Sequence, residues 1–166
     1  MRRKILVTGN AGFIGSNLTK KLLELDYQIV GIDNFNDYYN PQIKVKNIVE
    51  FSGNKNFLQH RADIVNQTEI DLIFAKFRPD IVIHLAARAG VRPSLLNPEL
   101  YHQVNVTGTD NLLKLAKKYS VKQFIFASSS SVYGIQTKTP FSETDQLGPP
   151  VSPYAAGKQE AEKLCR

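Results

Sequence analysis

The sequence has few of the features that mark secreted, metal-bound or membrane-embedded proteins. Its one cysteine, Cys165, excludes an intrachain disulfide and a cysteine-based metal site, and it fits a reducing cytoplasm. No stretch approaches the roughly 18 consecutive apolar residues of a membrane helix. The basic residues 2–4 are followed only by the short apolar run from Ile5 to Val7, which does not make a signal peptide. We therefore expect a soluble cytoplasmic protein with no membrane partner and no metal ion.

The composition is that of one globular domain. Hydrophobic residues make up 42% and charged residues 22% of the 166 positions, so disorder is a poor interpretation. At about 100 to 200 residues per domain, the length predicts a single domain over residues 1–166. The net charge of +6 permits nucleic acid, a membrane surface or phosphorylated ligands as partners. Because the lysines are scattered and no nucleic-acid-binding module is recognisable, we expect no nucleic-acid partner.

Short β-branched and aromatic runs alternate with segments of helical periodicity, which is typical of βαβ units around a parallel sheet. The predicted strands cover residues 5–7, 28–33, 57–62, 80–85 and 124–128. The apolar run at 80–85 is expected to be central. The predicted helices cover residues 13–25, 41–51, 67–77 and 97–118, and a last one begins at Ser152 and Pro153. Residues 134–150 form a long loop.

A glycine-rich segment, residues 8–15, lies between the first strand and the first helix. In this context Gly9 permits a tight turn, Gly12 lets the backbone approach a pyrophosphate, and Gly15 lets helix and strand pack closely. The free N–H groups and the positive end of the helix then face the anion. The alternative is a flexible glycine turn without a ligand.

Two carboxylates follow predicted strands at the same edge of the sheet. Asp33 ends the second strand, where a carboxylate accepts hydrogen bonds from the adenosine ribose and repels a 2′-phosphate. This favours NAD over NADP, although Lys44 and Lys46 downstream leave NADP open. Asp63 could meet the adenine amino group, or it could form an ordinary Asx turn.

Tyr154 and Lys158 are spaced to project from one face of the last helix. Ser128 to Ser131 stand at the carboxyl end of the fifth strand, where ligands bind in open parallel sheets. A serine there could bond a substrate oxygen opposite the tyrosine. A phenol titrates near pH ~10, so a base near neutrality needs roughly three units of depression, about 4 kcal/mol, which Lys158 and a positive nicotinamide ring could supply. The alternative is an ordinary exposed helix pair.

The remaining candidates are a few cationic and histidine side chains. Arg88 and Arg92 follow the fourth strand, so one of them could meet an anionic substrate group, or both could be solvated loop residues. His84 in its apolar strand is interpreted as a satisfied core histidine. His60 and His102 show no metal-ligand spacing to each other.

Four motifs together resemble the extended short-chain dehydrogenase/reductase superfamily: TGNAGFIG at 8–15, HLAA at 84–87, SSSSVYG at 128–134 and YAAGK at 154–158. Three further segments, DNFNDYYN at 33–40, AGVRPS at 89–94 and PFSE at 140–143, are most similar to the UDP-glucuronate 4-epimerases and to neighbouring bacterial nucleotide-sugar epimerases of capsule and envelope polysaccharide synthesis. The resemblance implies an α/β fold with a Rossmann-like, doubly wound parallel sheet. It implies NAD as the cofactor and a UDP-sugar as the substrate.

The resemblance also assigns roles by position. The NAD-binding residues would be Gly9, Gly12, Phe13, Ile14 and Gly15 at the pyrophosphate, Asp33 and Asn34 at the ribose, Asp63 and Ile64 at the adenine, Leu85, Ala86 and Ala87 along the nicotinamide half, Asn105 beneath the active site, and Tyr154 and Lys158. The catalytic residues would be Ser129, Tyr154 and Lys158. The substrate would contact Arg88, Arg92, Ser129, Ser130 and Ser131. Tyr154 would take the proton of the sugar 4-hydroxyl while hydride passes to NAD and later returns to the other face of the 4-keto sugar.

Related activities are distinguished at residues 130 and 131. Sugar 4,6-dehydratases carry an Asp-Glu pair there and UDP-glucuronate decarboxylases a Glu, because both need an added acid or base. Ser130 and Ser131 favour epimerisation and could hold a substrate carboxylate.

Enzymes of the superfamily run to roughly 300 residues, so we expect an NAD-binding part that ends before the C-terminal substrate-binding part. A nucleotide-binding module without turnover is the alternative. A homodimer through the helix at 97–118 is also expected.

Overall fold

Five parallel strands form the sheet of the computed structural model, which describes residues 2–166. The strands are β1 (Lys4–Thr8), β2 (Gln28–Asp33), β3 (Phe57–Arg61), β4 (Ile81–His84) and β5 (Gln123–Phe126), in the order β3-β2-β1-β4-β5. All the predicted strands are present. β4 is interior, but β1 rather than β4 occupies the middle of the sheet.

The helices cover both faces of this sheet. They are α1 (Phe13–Glu24), α2 (Pro41–Val49), α3 (Gln67–Phe77), α4 (Val91–Leu96), α5 (Pro98–His102), a π-helix (Gln103–Thr107), α6 (Gly108–Lys118), a 3-10 helix (Ser130–Tyr133) and α7 (Pro153–Leu164). Asn97 and Ser152 cap α5 and α7 by accepting backbone N–H bonds, with a proline at the start of each helix. None of the helices within residues 2–166 is both long and apolar enough to cross a membrane.

Alternation along the strands divides the core into two layers. Leu6, Val30 and Val82 point to the face covered by α3 and α6, where they pack with Phe74 and Leu112. Their neighbours point to the other face and pack with residues of α1 and α2; this layer includes Ile5, Val7, Ile29, Ile83, Leu23 and Ile48. The predicted Rossmann-like, doubly wound fold is confirmed.

The register brings the carboxyl ends of the strands to one edge. Thr8 pairs with Ile32 on one side and with His84 on the other, and His84 pairs with Phe126. The segments that follow these residues therefore meet at this edge, on both sides of the point where the strand order reverses. Ligands of open parallel sheets bind at such an edge.

The prediction of one continuous helix over residues 97–118 is wrong, because the helix is interrupted. A π-helical segment separates α5 from α6, and Thr109 Oγ1 in the first turn of α6 donates back to the carbonyl of Asn105 in this segment at 2.7 Å. At the start of α6, a Cβ added to Gly108 would lie 2.7 Å from Ile64 Cδ1, so α6 approaches the sheet closely. The short helix α4 was also not predicted.

Candidate functional site

The turn between β1 and α1 is built on three glycines. Gly9 has a φ of 70°, and its N–H donates to the carbonyl of Ile32 at 2.7 Å. A Cβ at Gly9 would lie 2.8 Å from Ala86 N, and one at Gly15 would overlap the carbonyl of Gly9. Gly12 begins α1 without a side-chain cap, so the first N–H groups of the helix are left for another acceptor. The turn thus presents donors and a positive helix end to the sheet edge.

Asp33 is buried and paired with a lysine. Its Oδ1 accepts from the backbone N–H of Phe35 at 2.8 Å and from Lys44 Nζ at 2.9 Å, and both charged side chains are under a tenth exposed. Within residues 2–166, the other oxygen of Asp33 accepts no hydrogen bond, so it remains available to a ligand. In the sequence, Lys44 was one of two lysines that left NADP possible as the cofactor. In the structure it forms an ion pair with Asp33.

Asp63 forms the Asx turn that was the alternative to an adenine contact. Its Oδ1 accepts from the N–H of Val65 at 3.0 Å, and its Oδ2 accepts from Asn34 Nδ2 at 2.8 Å. Ile64 is buried in the core beside Gly108.

One cleft joins these elements. It is lined by Gly9, Gly12, Ile32, Asp33, Asn34, Asn36, Tyr38, Tyr39, Lys44, Ala62, Asp63, Ile64, Leu85, Ala86, Ala87, Arg88 and Val104. The sequence-predicted residues Phe13, Ile14, Gly15, Asn105, Tyr154 and Lys158 are not part of its lining. Conversely, the sequence did not single out Asn36, Tyr38, Tyr39 or Val104. The signals for the first three were their place in a polar, aromatic loop next to Asp33 and in the segment DNFNDYYN at 33–40, which carries part of the family resemblance.

Arg88 carries positive charge into this cleft. Its backbone is held by Asn105, whose Oδ1 accepts from Arg88 N at 2.8 Å and whose Nδ2 donates to Arg88 O at 3.0 Å. Its guanidinium lies 5.7 Å from the ring of Tyr38, and its Nε is buried with no partner within the described chain. A cationic side chain with an unpartnered donor, in the same cleft as the uncapped start of α1, fits an anionic group such as a pyrophosphate. Arg92 lies exposed on α4 and does not line the cleft.

His84 on β4 connects β1 to the first turn of α6. Its Nδ1 lies 2.7 Å from Thr8 Oγ1 and its Nε2 lies 3.0 Å from Thr109 Oγ1. Because Thr109 donates its own proton to Asn105 O, it must accept from His84 Nε2–H, which assigns the tautomer. Burial, assisted by the charge of Lys158, lowers the pKa of His84 to about 3. The side chain is a neutral, fully bonded core histidine, as the sequence predicted.

Lys158 is buried beneath Tyr154 on α7. Its Nζ donates to the carbonyl of Ala127 at 2.8 Å and lies 4.6 Å from the Phe126 ring. Burial lowers the pKa of Lys158 to about 8, against the opposing effects of Cys165 and Glu162. The Tyr154 ring packs edge-on against Tyr101 with centroids 6.4 Å apart. The pair is therefore not an exposed surface pair.

The serines lie on the turn against which α7 packs. Ser129 caps the 3-10 helix, since its Oγ accepts from Ser131 N at 3.2 Å, while Ser130 is exposed. Gln159 Nε2 donates to Val132 O at 2.7 Å and so fastens α7 to this turn. Together with the bond from Lys158 to Ala127, this contact brings the serine turn and α7 together.

Comparison with known proteins matches this arrangement to one family. The family model described as GDP-mannose 4,6 dehydratase matches residues 6–166. The chain belongs to this family. The resemblance to the extended short-chain dehydrogenase/reductase superfamily, and to its nucleotide-sugar epimerases, is confirmed.

Named relatives include several epimerases. A UDP-glucuronate 4-epimerase from Thermodesulfobacterium geofontis is 45% identical over 159 residues, which are 96% of this chain and 49% of the relative. The structure of UDP-glucuronic acid 4-epimerase from Bacillus cereus with UDP-glucuronic acid and NAD is 41% identical, with a TM-score of 0.87 over 98% of this chain and 51% of that one. UDP-glucose 4-epimerase from Thermotoga maritima, bound to UDP-glucose, is 36% identical, with a TM-score of 0.86 over 98% of this chain and 50% of that one. The chain spans about half the length of the curated relatives it matches.

Proposed function

We propose that this chain is the NAD-binding part of a nucleotide-sugar 4-epimerase. The observation that carries the proposal is one cleft lined by Gly12 at the uncapped start of α1, by Asp33 with one free carboxylate oxygen, and by Arg88 with its unpartnered Nε. A dinucleotide has a diphosphate and a ribose at the spacing that this edge of a Rossmann-like sheet accommodates. The NAD complexes among the similar structures support the choice of cofactor.

Each group of the cleft has a distinct task in this proposal. The N–H groups that follow Gly12, with Arg88, would hold the pyrophosphate, and Asp33 would accept from the ribose hydroxyls. NAD is favoured over NADP because the buried Asp33 carboxylate would repel a 2′-phosphate, and because the charge of Lys44 is already paired with Asp33. When bound, the nicotinamide ring would accept a hydride from the sugar and return it.

Tyr154, Lys158 and Ser129 would perform the proton chemistry. Lys158 has a pKa of about 8 and is mostly protonated at neutral pH, so it would place a positive charge one helical turn from Tyr154, the proposed proton acceptor. An ammonium has three donors, and the bond to Ala127 uses one of them. Ser129 Oγ accepts from Ser131 N, which leaves its own hydrogen free to donate to a substrate oxygen.

UDP-glucuronate is the proposed substrate. Ser130 and Ser131 stand where a dehydratase or decarboxylase would need a carboxylic acid, and hydroxyl groups there suit a bound carboxylate. The family resemblance at residues 33–40 and the named relatives support the same substrate. A role in polysaccharide synthesis and a homodimer through the helices of residues 97–118 remain predictions.

Titration and turnover assays test the proposal. We expect the chain to bind NAD⁺ more tightly than NADP⁺ in calorimetric titrations. We expect any conversion of UDP-glucuronate to UDP-galacturonate to be lost in Tyr154→Phe, with NAD⁺ binding retained. No binding of either dinucleotide at millimolar concentration would refute the proposal. Binding without conversion would support an NAD-binding module, while loss of water or CO₂ from the sugar would indicate a dehydratase or a decarboxylase.

A further inference from the structure

The loop after β2 is built to present one tyrosine. Each polar residue holds the backbone two positions on: Asp33 Oδ1 accepts from Phe35 N, Asn34 Oδ1 from Asn36 N at 3.1 Å, and Asn36 Oδ1 from Tyr38 N at 3.2 Å. Such successive Asx bonds fix a loop without regular secondary structure. The loop therefore leads from the ribose-facing carboxylate to Tyr38 in a defined conformation.

Tyr38 reaches across the cofactor cleft. Its hydroxyl donates to the carbonyl of Ala89 at 2.7 Å, and Ala89 belongs to the loop after β4. β2 and β4 are separated by β1, so the side chain bridges loops whose strands lie about 10 Å apart, two inter-strand spacings. Tyr38 is 42% exposed, which places it on the outer wall of the cleft that it lines.

The far end of this bridge is held firmly in place. Tyr101 donates to the same Ala89 carbonyl at 2.6 Å, and burial raises the pKa of Tyr101 to about 12, so that it stays a donor. Gly90 has a φ of 94°, and a Cβ there would lie 3.0 Å from the Tyr38 hydroxyl. Arg88, one residue before Ala89, faces the Tyr38 ring. The Ala89 carbonyl, which accepts the bond from Tyr38, is thus held in place by residues on the β4 side of the cleft.

We propose that Tyr38 is a clasp that retains the bound dinucleotide, because the dinucleotide can leave only after the bond to Ala89 opens. The inference rests on the proposed function. An epimerase that takes a hydride and returns it regenerates its cofactor in each cycle, so release is not required for turnover. A clasp that slows release of the dinucleotide would keep the site occupied without lowering the turnover rate.

The two tyrosines that share one acceptor give a matched pair of variants. Tyr38→Phe removes the bond that crosses the cleft. Tyr101→Phe leaves that bond in place and removes the one from Tyr101, whose hydroxyl lies next to that of Tyr38 at the same carbonyl. Radiolabelled NAD⁺ is loaded onto each variant of the chain, chased with unlabelled NAD⁺ and collected by rapid filtration. We expect Tyr38→Phe to release the label about threefold to tenfold faster, which is the range of one neutral hydrogen bond. Tyr38→Ala should be faster still, and Tyr101→Phe should stay within about twofold of the parent.

The outcomes separate the two proposals. If the parent chain binds NAD⁺ and Tyr38→Phe and Tyr38→Ala release it at the parent rate, the clasp is refuted and the cofactor site stands. Equal acceleration in Tyr38→Phe and Tyr101→Phe would also refute the clasp, because it would trace retention to the Ala89 loop alone. If the parent chain binds no NAD⁺, the proposed function fails first. Thermal unfolding of the ligand-free variants reports the purely structural effect, and Tyr38→Phe and Tyr101→Phe, which each lose one hydrogen bond, should lower the melting temperature by similar small amounts.

Discussion

Acidification should weaken the fold through His84. This histidine is buried between Thr8 and Thr109, and its pKa is lowered to about 3, so the native state keeps it neutral. In the unfolded chain the imidazole takes up a proton near pH ~6.5. Because the unfolded state binds the extra proton, stability falls as pH decreases below that value and continues to fall until about pH 3.

The size of the effect follows from the two pKa values. At pH 5, a group that titrates near 6.5 when unfolded and near 3 when folded lowers the free energy of unfolding by about 2 kcal/mol relative to neutral pH. The perturbation is His84→Gln, and the assay is urea denaturation at pH 7.5 and pH 5. The variant should be less stable at pH 7.5, because Thr8 and Thr109 lose their partner. It should lose about 2 kcal/mol less than the parent on acidification.

His60→Gln serves as the control. Partial burial, together with the charge of Lys76, lowers the pKa of His60 as well, but its imidazole is only half-buried, so its removal should change the pH dependence less. If the parent and His84→Gln lost the same free energy between the two pH values, the neutral buried assignment of His84 would be wrong.

Two further substitutions test the buried charges. Lys44→Met should lower the free energy of unfolding by about 3–5 kcal/mol, because it leaves the Asp33 carboxylate buried without its partner. The double variant Lys44→Met with Asp33→Asn should recover most of this loss. Urea denaturation measures both changes. Lys158→Met should stabilise the ligand-free chain by about 1–2 kcal/mol at pH 7. The lowered pKa of Lys158, about 8, represents about 3 kcal/mol of burial cost, partly offset by the bond to Ala127. That gain should shrink as pH rises above 8, since the parent then loses its buried charge, and an unchanged gain at pH 10 would contradict the reasoning.

The elements that follow from local chemistry were predictable from the sequence. Asn97 and Ser152 cap helices with a proline behind them, and the helix at Gln67–Phe77 has the predicted ends. These features depend on side chains within a few residues of one another. The glycine turn was predictable for the same reason.

The parts that depend on distant partners were not predictable. Asn105 was placed beneath the active site, but its amide is used by the backbone of Arg88, seventeen positions away. Nothing in the periodicity of residues 97–118 signals the π-helix, whose Asn105 bonds the loop after β4 at Arg88. The bridge from Tyr38 joins residues 51 positions apart, so no local pattern could reveal it.

The π-helix has a consequence for how this region tolerates insertions and deletions. A π turn holds one residue more than an α turn, and each residue of an α-helix advances the side chains by about 100°. The extra residue lets Tyr101 point to the Ala89 loop while Leu112 and Leu115 point to the core, two directions that an uninterrupted helix would couple. Removing one residue between 103 and 107 would leave a regular α-helix whose two ends keep about the same relative direction, because the π turn absorbs its extra residue without advancing the side chains. A single-residue deletion here should therefore preserve both the contact with the Ala89 loop and the core, whereas one residue inserted into the regular part of α6 would rotate one end against the other by about 100°.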